Sequence, residues 1–341
     1  MTRPSGISAT NRPSQVRSVA QTSAPLPDTR PVITAGVVGL GTALPPTVVE
    51  NVDIEARIGV EPGWIEQRTG ILRRRALAPG ETLADLSLSA ATAALGDAGV
   101  DPHEIDLIVA ATTGSDEIIP NLAPAVAGLL GISVAAYDVG AACTGFVAGM
   151  VAAAGAVESG RAKTVLLLGA DAMRRWTDPD EGSTAALFGD GAGAVVLRAN
   201  AAGCVGAINL GCDGEAWDAV WIDRDRSTLL MDGHQTYRRA VSGMRAATEL
   251  ALEEARLAAE EIDLFVYHQA NRRILESLRS RLGVPADRVV DAIAEVGNTS
   301  AASLPLALAH ARADGRLRPG ARVLFGAAGS GFCFGAGTLT W

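Results

Sequence analysis

The stretch DVGAACTGF, residues 138–146, leads an extended segment through a tight Gly/Ala turn into a run of small residues. That run predicts a helix over 145–157, so Cys143 is expected at a helix N-terminus. Backbone N–H groups and the helix dipole lower the pKa of a thiol in that position and favour the nucleophilic thiolate. Most lone cysteines are instead buried structural residues, so the surrounding chain has to decide between the two interpretations.

Composition limits the functions that the chain can have. The chain has 341 residues, 48% of them hydrophobic, and a net charge of −9, which suits a large packed core and argues against a nucleic-acid binder. The four cysteines form no C-x-x-C pair and follow no secretory signal, so we expect reduced thiols and a cytoplasmic protein. Four histidines without an H-E-x-x-H motif give no support for a metal site, and no apolar run is long enough to span a membrane.

Strands and helices alternate along most of the chain, which predicts an α/β fold with buried sheets covered by helices. A helix is expected over 82–98, with Gly99 as its C-cap. Residues 1–30 are expected to form a disordered extension, with a transit peptide as the alternative. Strands are expected over 32–40, 106–113 and 163–171, and a Gly-rich turn leads into another strand over 188–197.

The second half of the chain repeats a pattern of the first. The pattern Ala-Leu-x-x-Ala, followed by Glu-Ile-Asp-Leu-x-Val, begins at Ala94 and again at Ala251, an offset of 157 residues (251 − 94). We therefore predict an internal duplication of a helix–strand unit. The corresponding halves are 31–200, which carries the cysteine, and 201–341.

The duplication brings three polar residues into one constellation. The offset aligns Cys143 with Ser300, so the cysteine turn and the Asn298 turn are expected to be pseudo-symmetric loops at the junction of the halves. His268 ends a predicted strand, where open α/β sheets bind ligands. A lone histidine is usually structural and an Asn after Gly often forms a turn, but together with the cysteine they indicate nucleophilic catalysis. The Gly-rich loop over 326–332 can bring backbone N–H groups close to a substrate.

Five motifs resemble those of the β-ketoacyl-ACP synthase III family of thiolase-fold condensing enzymes: DVGAACTGF, YHQANRRI, EVGNTSAAS, FGDGAGAVVL and FGAAGSGFCFGAG. The resemblance is collinear from about residue 37 to the C-terminus. It implies a five-layered α-β-α-β-α thiolase fold built from two duplicated halves, and a homodimer. The implied reaction condenses an acyl thioester with malonyl-ACP through an acyl-cysteine, with loss of CO₂ and without a metal or prosthetic group. Such a reaction initiates fatty acid or polyketide chains.

The resemblance also implies roles for individual residues. Cys143, His268 and Asn298 match the family's triad, in which the thiolate takes the acyl group and the other two donate hydrogen bonds to the malonyl thioester carbonyl. The backbone N–H groups of Cys143 and Ser330 would form the oxyanion hole. Further implied contacts are to CoA or phosphopantetheine (Trp64, Arg68 and Asn271) and to the acyl carrier protein (Arg273 and Arg281).

Some positions depart from the family pattern. Gly182 stands where the fatty-acid enzymes carry an arginine that clamps the adenine of CoA, so both CoA and acyl carrier protein stay open as acyl donors. Ile119 and Ala328 replace two phenylalanines of the acyl pocket, the first of them supplied by the partner subunit. Less aromatic bulk predicts a starter larger than acetyl, and a polyketide-priming paralogue is as plausible as a fatty-acid enzyme. The acyl-pocket positions are Ile119, Met173, Phe188 and Ala328.

Other functions on the same fold remain as alternatives. The first is an acyltransferase that moves an acyl group without condensation, and retention of both His268 and Asn298 favours condensation over it. The second is a Cys-His-Asn thioester hydrolase. The third is a non-catalytic partner subunit, which would lack the nucleophile that Cys143 supplies.

Overall fold

The computed structural model describes residues 32–223, 225 and 227–341, and the extension predicted for residues 1–30 lies outside them. The strands are β1 Ala35–Ala43, β2 Thr47–Glu50, β3 Arg73–Ala76, β4 Leu107–Ala111, β5 Ala135–Val139, β6 Thr164–Ala172, β7 Asp190–Ala199, β8 Cys204–Cys212, β9 Val220–Asp223, β10 Thr228–Met231, β11 Leu264–Tyr267, β12 Arg322–Gly329 and β13 Cys333–Thr340. The helices are α1 Asn51–Ile58, α2 Trp64–Thr69, α3 Leu83–Ala98, α4 Leu122–Leu129, α5 Gly145–Glu158, α6 Gly182–Ala185, α7 Gly233–Ala255, α8 Arg272–Leu282, α9 Ile293–Val296 and α10 Ser303–Ala313.

Two sheets with matching strand orders form the centre of the molecule. The first has the order β1-β7-β6-β4-β5, with β4 parallel to β5 and β6, and β7 antiparallel to β1 and β6. The second has the order β11-β12-β13-β8, with β11 parallel to β12 and the other pairs antiparallel. A parallel bridge between Phe265 and Val289 lies where β5 would pair in the first sheet. The repeated order agrees with the predicted duplication, while the boundary at residue 200 stays a prediction.

Helices separate and cover the sheets in five layers. Between the sheets, α5 and α10 bury residues such as Phe146 and Leu304 against Val165 of the first sheet and Val323 of the second. Helices α3 and α4 pack on the outer face of the first sheet, and α7 and α8 pack on the outer face of the second. The α-β-α-β-α layering that the family resemblance implies is therefore present.

Small residues let the central helix lie close to the sheets. Helix α5 ends one residue beyond the predicted 145–157, and a Cβ at Gly149 would lie 2.6 Å from Cδ1 of Leu167. A larger residue there would force the Leu167 side chain to move.

The first strand begins later than predicted. We expect 32–40 from the apolar run, but β1 spans Ala35–Ala43 and pairs with β7 through its glycines, including Gly41 opposite Ala194. A Cβ at Gly41 would lie 2.2 Å from the backbone nitrogen of Ala94 in α3. These glycines therefore allow helix packing and do not end the strand.

Within the described residues, no helix combines the length and apolarity needed to cross a bilayer.

Candidate active site

A cavity of about 320 Å³ is lined by residues from both halves of the chain. Cys143 comes from the first half, and His268 and Asn298 come from the second. The predicted oxyanion donor and three of the four predicted acyl-pocket residues also line it: Ser330, Met173, Phe188 and Ala328. The structure therefore brings the predicted triad into one place.

The turn that carries the cysteine has a strained backbone. Cys143 follows Ala142, whose φ of 45° lies in the left-handed region that costs a non-glycine residue about 1–3 kcal/mol. In the second half, Ser300 has a φ of 50° and opens the equivalent turn before α10. These two residues are 158 apart (300 − 142). The structural counterpart of Cys143 is therefore Ala301, and its alignment with Ser300 is wrong at this loop.

The thiol of Cys143 is less acidic than its position at a helix end predicts. Burial is the largest influence and raises its pKa to about 11. The Ser300 side chain lowers the pKa, the Asp171 carboxylate raises it, and the cysteine's own backbone N–H lowers it. The expectation of a lowered thiol pKa is therefore wrong for the protein alone, because desolvation of the thiolate outweighs the helix end. The thiol of Cys143 is therefore protonated at neutral pH in the protein alone.

His268 directly follows β11, at the carboxyl end of a parallel strand. Its backbone N–H donates to the carbonyl of Gly326 in β12 at 2.8 Å. The residue is 1% exposed, and burial lowers the pKa of its imidazole to about 4, so the ring is neutral at physiological pH. Its Nδ1 has no hydrogen-bond partner among the described residues. Such a buried polar atom is suited to a bound group that completes its hydrogen bonding.

Gln269 fixes the strand end that carries His268, and sequence reasoning missed this role. Its side-chain nitrogen donates to the carbonyls of Tyr267 at 2.7 Å and Val290 at 3.1 Å. Its side-chain oxygen accepts from the backbone N–H of Ala292 at 2.8 Å. These buried bonds tie the histidine loop to the neighbouring chain segment.

The Asn298 side chain has a defined orientation. Its backbone N–H donates to Leu187 at 2.8 Å and its carbonyl accepts from Gly189 at 3.0 Å, which holds it beside the pocket wall. Its side-chain oxygen accepts from the backbone N–H of Ser300 at 3.0 Å. Because the oxygen is used in this way, the amide nitrogen is the part of the side chain that can donate to a ligand.

Asp171 is a buried neighbour of the triad that sequence reasoning missed. Its Oδ1 accepts from the backbone N–H of Thr113 at 2.6 Å, and its Oδ2 accepts from that of Ala301 at 3.0 Å. The carboxylate therefore links the two halves directly behind Cys143 and the Asn298 turn. Burial raises the pKa of Asp171 to about 6. The available signal was an acidic residue at the end of an otherwise apolar strand.

The Gly-rich loop runs against the cysteine turn. A Cβ at Gly329 would lie 2.9 Å from both the backbone nitrogen and the Cβ of Cys143. The hydroxyl of Ser330 donates to the carbonyl of Val220. The loop therefore lies beside the proposed nucleophile, and its predicted approach to a substrate stays a prediction.

The hairpin of β9 and β10, which the sequence analysis did not identify, contributes apolar side chains to the cavity. These side chains are Val220, Trp221, Ile222, Leu229 and Met231.

Ile119 does not line the cavity of its own chain and is 80% exposed. Its predicted place in the acyl pocket depends on a partner subunit and stays a prediction.

The residues predicted to bind CoA or phosphopantetheine lie outside this cavity lining. The Arg68 guanidinium stacks 4.6 Å from the ring centre of Trp64. Arg273 donates to the carbonyl of Gln67 at 3.2 Å, which connects α8 to α2. Asn271 accepts from the backbone N–H of Arg273 and so caps α8. Their predicted roles in binding stay predictions.

Arg281 lies in a different place from Arg273. It lines an open groove of about 750 Å³ together with Arg238, Arg239 and Asp213. This groove is larger than the cavity of the triad and does not include Cys143, but Phe332 borders both.

Among the described residues, no cluster of three metal-ligating side chains occurs.

Comparisons with known proteins give a consistent result. The family described as 3-oxoacyl-[acyl-carrier-protein (ACP)] synthase III matches residues 137–214, and the family of its C-terminal part matches residues 252–341. The chain is 43% identical over 311 residues to a protein of Streptomyces coelicolor named beta-ketoacyl-[acyl-carrier-protein] synthase III 2, covering 90% of this chain and 94% of that one.

Solved structures show the same similarity. The 3-oxoacyl-(acyl carrier protein) synthase III of Pseudomonas aeruginosa is 40% identical, with a TM-score of 0.86 over 90% of this chain and 98% of that one. The priming β-ketosynthase of the R1128 polyketide biosynthetic pathway is 35% identical, with a TM-score of 0.87 over 93% of this chain and 98% of that one. These similarities confirm the predicted fold.

Proposed function

This chain belongs to the β-ketoacyl-ACP synthase III family, and from that premise we propose that it is an acyltransferase that condenses an acyl thioester with malonyl-ACP. The observation that carries this function is the convergence of Cys143, His268 and Asn298 on one cavity. The product would be a β-ketoacyl-ACP that starts a fatty acid or polyketide chain.

The first half-reaction transfers the acyl group to the cysteine. The Cys143 thiolate attacks the thioester carbon, and the backbone N–H groups of Cys143 and Ser330 stabilise the oxyanion of the tetrahedral intermediate. The intermediate collapses to the acyl-enzyme thioester and expels the carrier thiolate, which takes up the proton lost by the cysteine. Because burial opposes the thiolate, deprotonation of Cys143 adds to the barrier of this step.

The second half-reaction forms the carbon–carbon bond. Malonyl-ACP loses CO₂, and the electron pair moves onto the thioester carbonyl as an enolate. Neutral His268 and the amide nitrogen of Asn298 donate hydrogen bonds to that oxygen. The enolate carbon then attacks the acyl group on Cys143, and the cysteine leaves as the thiolate.

Measurement of CO₂ release from malonyl-ACP tests this function against transfer without condensation. Cys143→Ala should abolish acyl capture, whereas Asn298→Ala should retain capture and slow decarboxylation about 10²-fold. Asn121→Ala is a matched control, since Asn121 is exposed and its side chain makes no capping hydrogen bond. Acyl transfer without CO₂ release by the unmodified protein would favour the acyltransferase alternative, and loss of the acyl group to water would favour the hydrolase.

We propose a starter acyl group larger than acetyl, carried by CoA or by acyl carrier protein. Support comes from the cavity of about 320 Å³ and from its lining, in which Ala328 adds little bulk beside Met173 and Phe188. Ala328→Phe should shift the preference toward acetyl. Competition among acyl thioesters of increasing length, read by the mass of the acyl-enzyme, measures this. A strong acetyl preference of the unmodified protein would contradict the proposal.

We propose that acyl carrier protein docks beside α8 through Arg273 and Arg281. Both side chains are exposed, and they carry positive charge on a chain whose net charge is −9. An acidic carrier would be steered toward these positive charges along α8. Arg273→Ala and Arg281→Ala should raise the KM for malonyl-ACP and leave capture of a simple acyl thioester unchanged.

We further propose a homodimer that forms through the first sheet. Strand β5 is an edge of that sheet, and nearby Ile118 and Ile119 are 93% and 80% exposed. Unpaired strand edges and exposed apolar residues favour pairing with another chain. Ile119→Asp should shift the molar mass measured by light scattering from dimer to monomer.

The proposed reaction requires no metal or prosthetic group, and we expect it to take place in the cytoplasm.

A further inference from the structure

Two cysteines outside the proposed catalytic triad face each other across neighbouring strands. Cys212 ends β8, Cys333 begins β13, and the two residues are direct partners in the antiparallel register. Such partners have Cα atoms about 4.5 or 5.5 Å apart, and a disulfide needs about 4.4–6.8 Å. Both thiols are free, and their side chains contact each other.

The two thiols differ in their access to solvent. Cys212 is exposed, whereas Cys333 is half-buried, and burial together with its neighbour raises the pKa of Cys333 to about 11. Cys212 is therefore the thiol that an oxidant in solution meets first. Cys204 is also exposed and lies on the same strand, but its cross-strand partner is Thr340.

This pair borders the Gly-rich loop of the active site. The Cys212 thiol donates to the carbonyl of Gly331 at 3.3 Å. The carbonyl of Cys333 accepts from the hydroxyl of Thr144, next to the nucleophile, at 3.4 Å. A change at the pair therefore acts on the loop that carries the proposed oxyanion donor Ser330.

We propose that Cys212 and Cys333 are a redox-active dithiol that forms a reversible cross-strand disulfide under peroxide. The Cys212 thiolate attacks hydrogen peroxide and becomes a sulfenic acid as hydroxide leaves. The Cys333 thiol then attacks that sulfur and expels water, so two thiols and one peroxide give one disulfide and two waters. A thiol reductant reverses the step by exchange.

Disulfide formation removes the thiol hydrogen that bonds to Gly331. Loss of one neutral hydrogen bond at the loop corresponds to a change of about fivefold. We therefore expect the oxidised protein to condense about fivefold more slowly, and dithiothreitol to restore the rate.

Peptide mapping of the full chain after mild hydrogen peroxide treatment tests the proposal directly. We expect a Cys212–Cys333 linked peptide, an intact mass lower by two hydrogens, and a fall in free thiols from four to two. The mapping needs no turnover assay, so it stands even if the proposed condensation is wrong. Cys212→Ser and Cys333→Ser should each abolish the linked peptide, with circular dichroism to verify folding.

Peroxide could also inactivate the protein by oxidising Cys143, and the control variants separate this cause from the disulfide. If the disulfide slows condensation, Cys212→Ser should resist the reversible loss of rate, and the matched control Cys204→Ser should not. Equal loss in both variants would assign the inactivation to Cys143 and overturn the link to the active site. Absence of the linked peptide in a folded protein would overturn the disulfide itself.

Discussion

Replacing Asp171 with Asn tests how the buried carboxylate behind the triad acts. Asp171 is 1% exposed, and burial raises its pKa from 3.8 to about 6. The folded protein therefore holds a proton on this group more readily than the unfolded chain does. Between pH 3.8 and 6, Asp171 is ionised in the unfolded chain but still largely protonated in the folded protein. The free energy of unfolding therefore falls as pH rises through that window.

The size of this effect follows from the shift. A shift of about two pKa units corresponds to about 3 kcal/mol in the free energy of unfolding. This contribution is present below pH 3.8 and is lost above pH 6. Asn does not titrate, so the difference in unfolding free energy between variant and wild type should rise by about 2–3 kcal/mol from pH 4 to pH 7. Urea unfolding of both proteins across this range measures it. A difference that stays constant with pH would refute the assigned ionisation.

The same change should separate the two half-reactions. A carboxamide has one oxygen, so it cannot accept from both Thr113 and Ala301 as the carboxylate does. The turn that carries Asn298 should loosen, and CO₂ release should fall by about tenfold or more. Removal of the negative charge should also lower the pKa of Cys143, because Asp171 contributes to raising it.

Alkylation of Cys143 by iodoacetamide, followed by mass spectrometry across pH, reads the thiol separately from turnover. Asp171→Asn should alkylate faster than wild type at pH 8 although it condenses more slowly. Ser300→Ala is the matched control, since it keeps the carboxylate and removes a hydrogen bond that lowers the thiol pKa. It should alkylate more slowly than wild type. A parallel fall of alkylation and condensation in Asp171→Asn would reduce the carboxylate to a structural role.

Other residues of the site give further expectations. Gly329→Ala should abolish acyl capture, because the new Cβ would lie 2.9 Å from Cys143, whereas Gly140→Ala, with no atom within 4 Å of its Cβ, should retain capture. Gln269→Met should lower the free energy of unfolding by about 2–4 kcal/mol in urea, because it leaves buried backbone groups unpaired. In wild type, alkylation of Cys143 should rise with pH toward its pKa of about 11, and a plateau near pH 7 would contradict the effect of burial.

Local sequence signals suffice for much of the fold. The Thr82 side chain accepts from Asp85 and Gly99 adopts a φ of 62°, so both ends of α3 lie within one residue of the prediction. The start of β1 was predicted less well, because its glycines are explained by the packing of α3 and not by a turn. Caps are properties of neighbouring residues, whereas the tolerance of a strand for glycine depends on what packs against it.

The site divides in the same way between local and tertiary causes. Cys143, His268 and Asn298 stand in motifs that can be recognised in the sequence. The duplication predicts that the loops carrying them lie close together. Asp171 carries no such motif, because its importance comes from accepting hydrogen bonds from both halves at once. The hairpin of β9 and β10 reaches the cavity through tertiary packing alone.

The thiol pKa shows where reasoning from a motif fails. A helix end stabilises a thiolate at short range, and this influence can be read from the sequence. Desolvation depends on every atom that removes water from the sulfur, and here it raises the pKa of Cys143 to about 11. The motif therefore identifies the nucleophile, whereas the ionisation of that nucleophile depends on the packing around its sulfur.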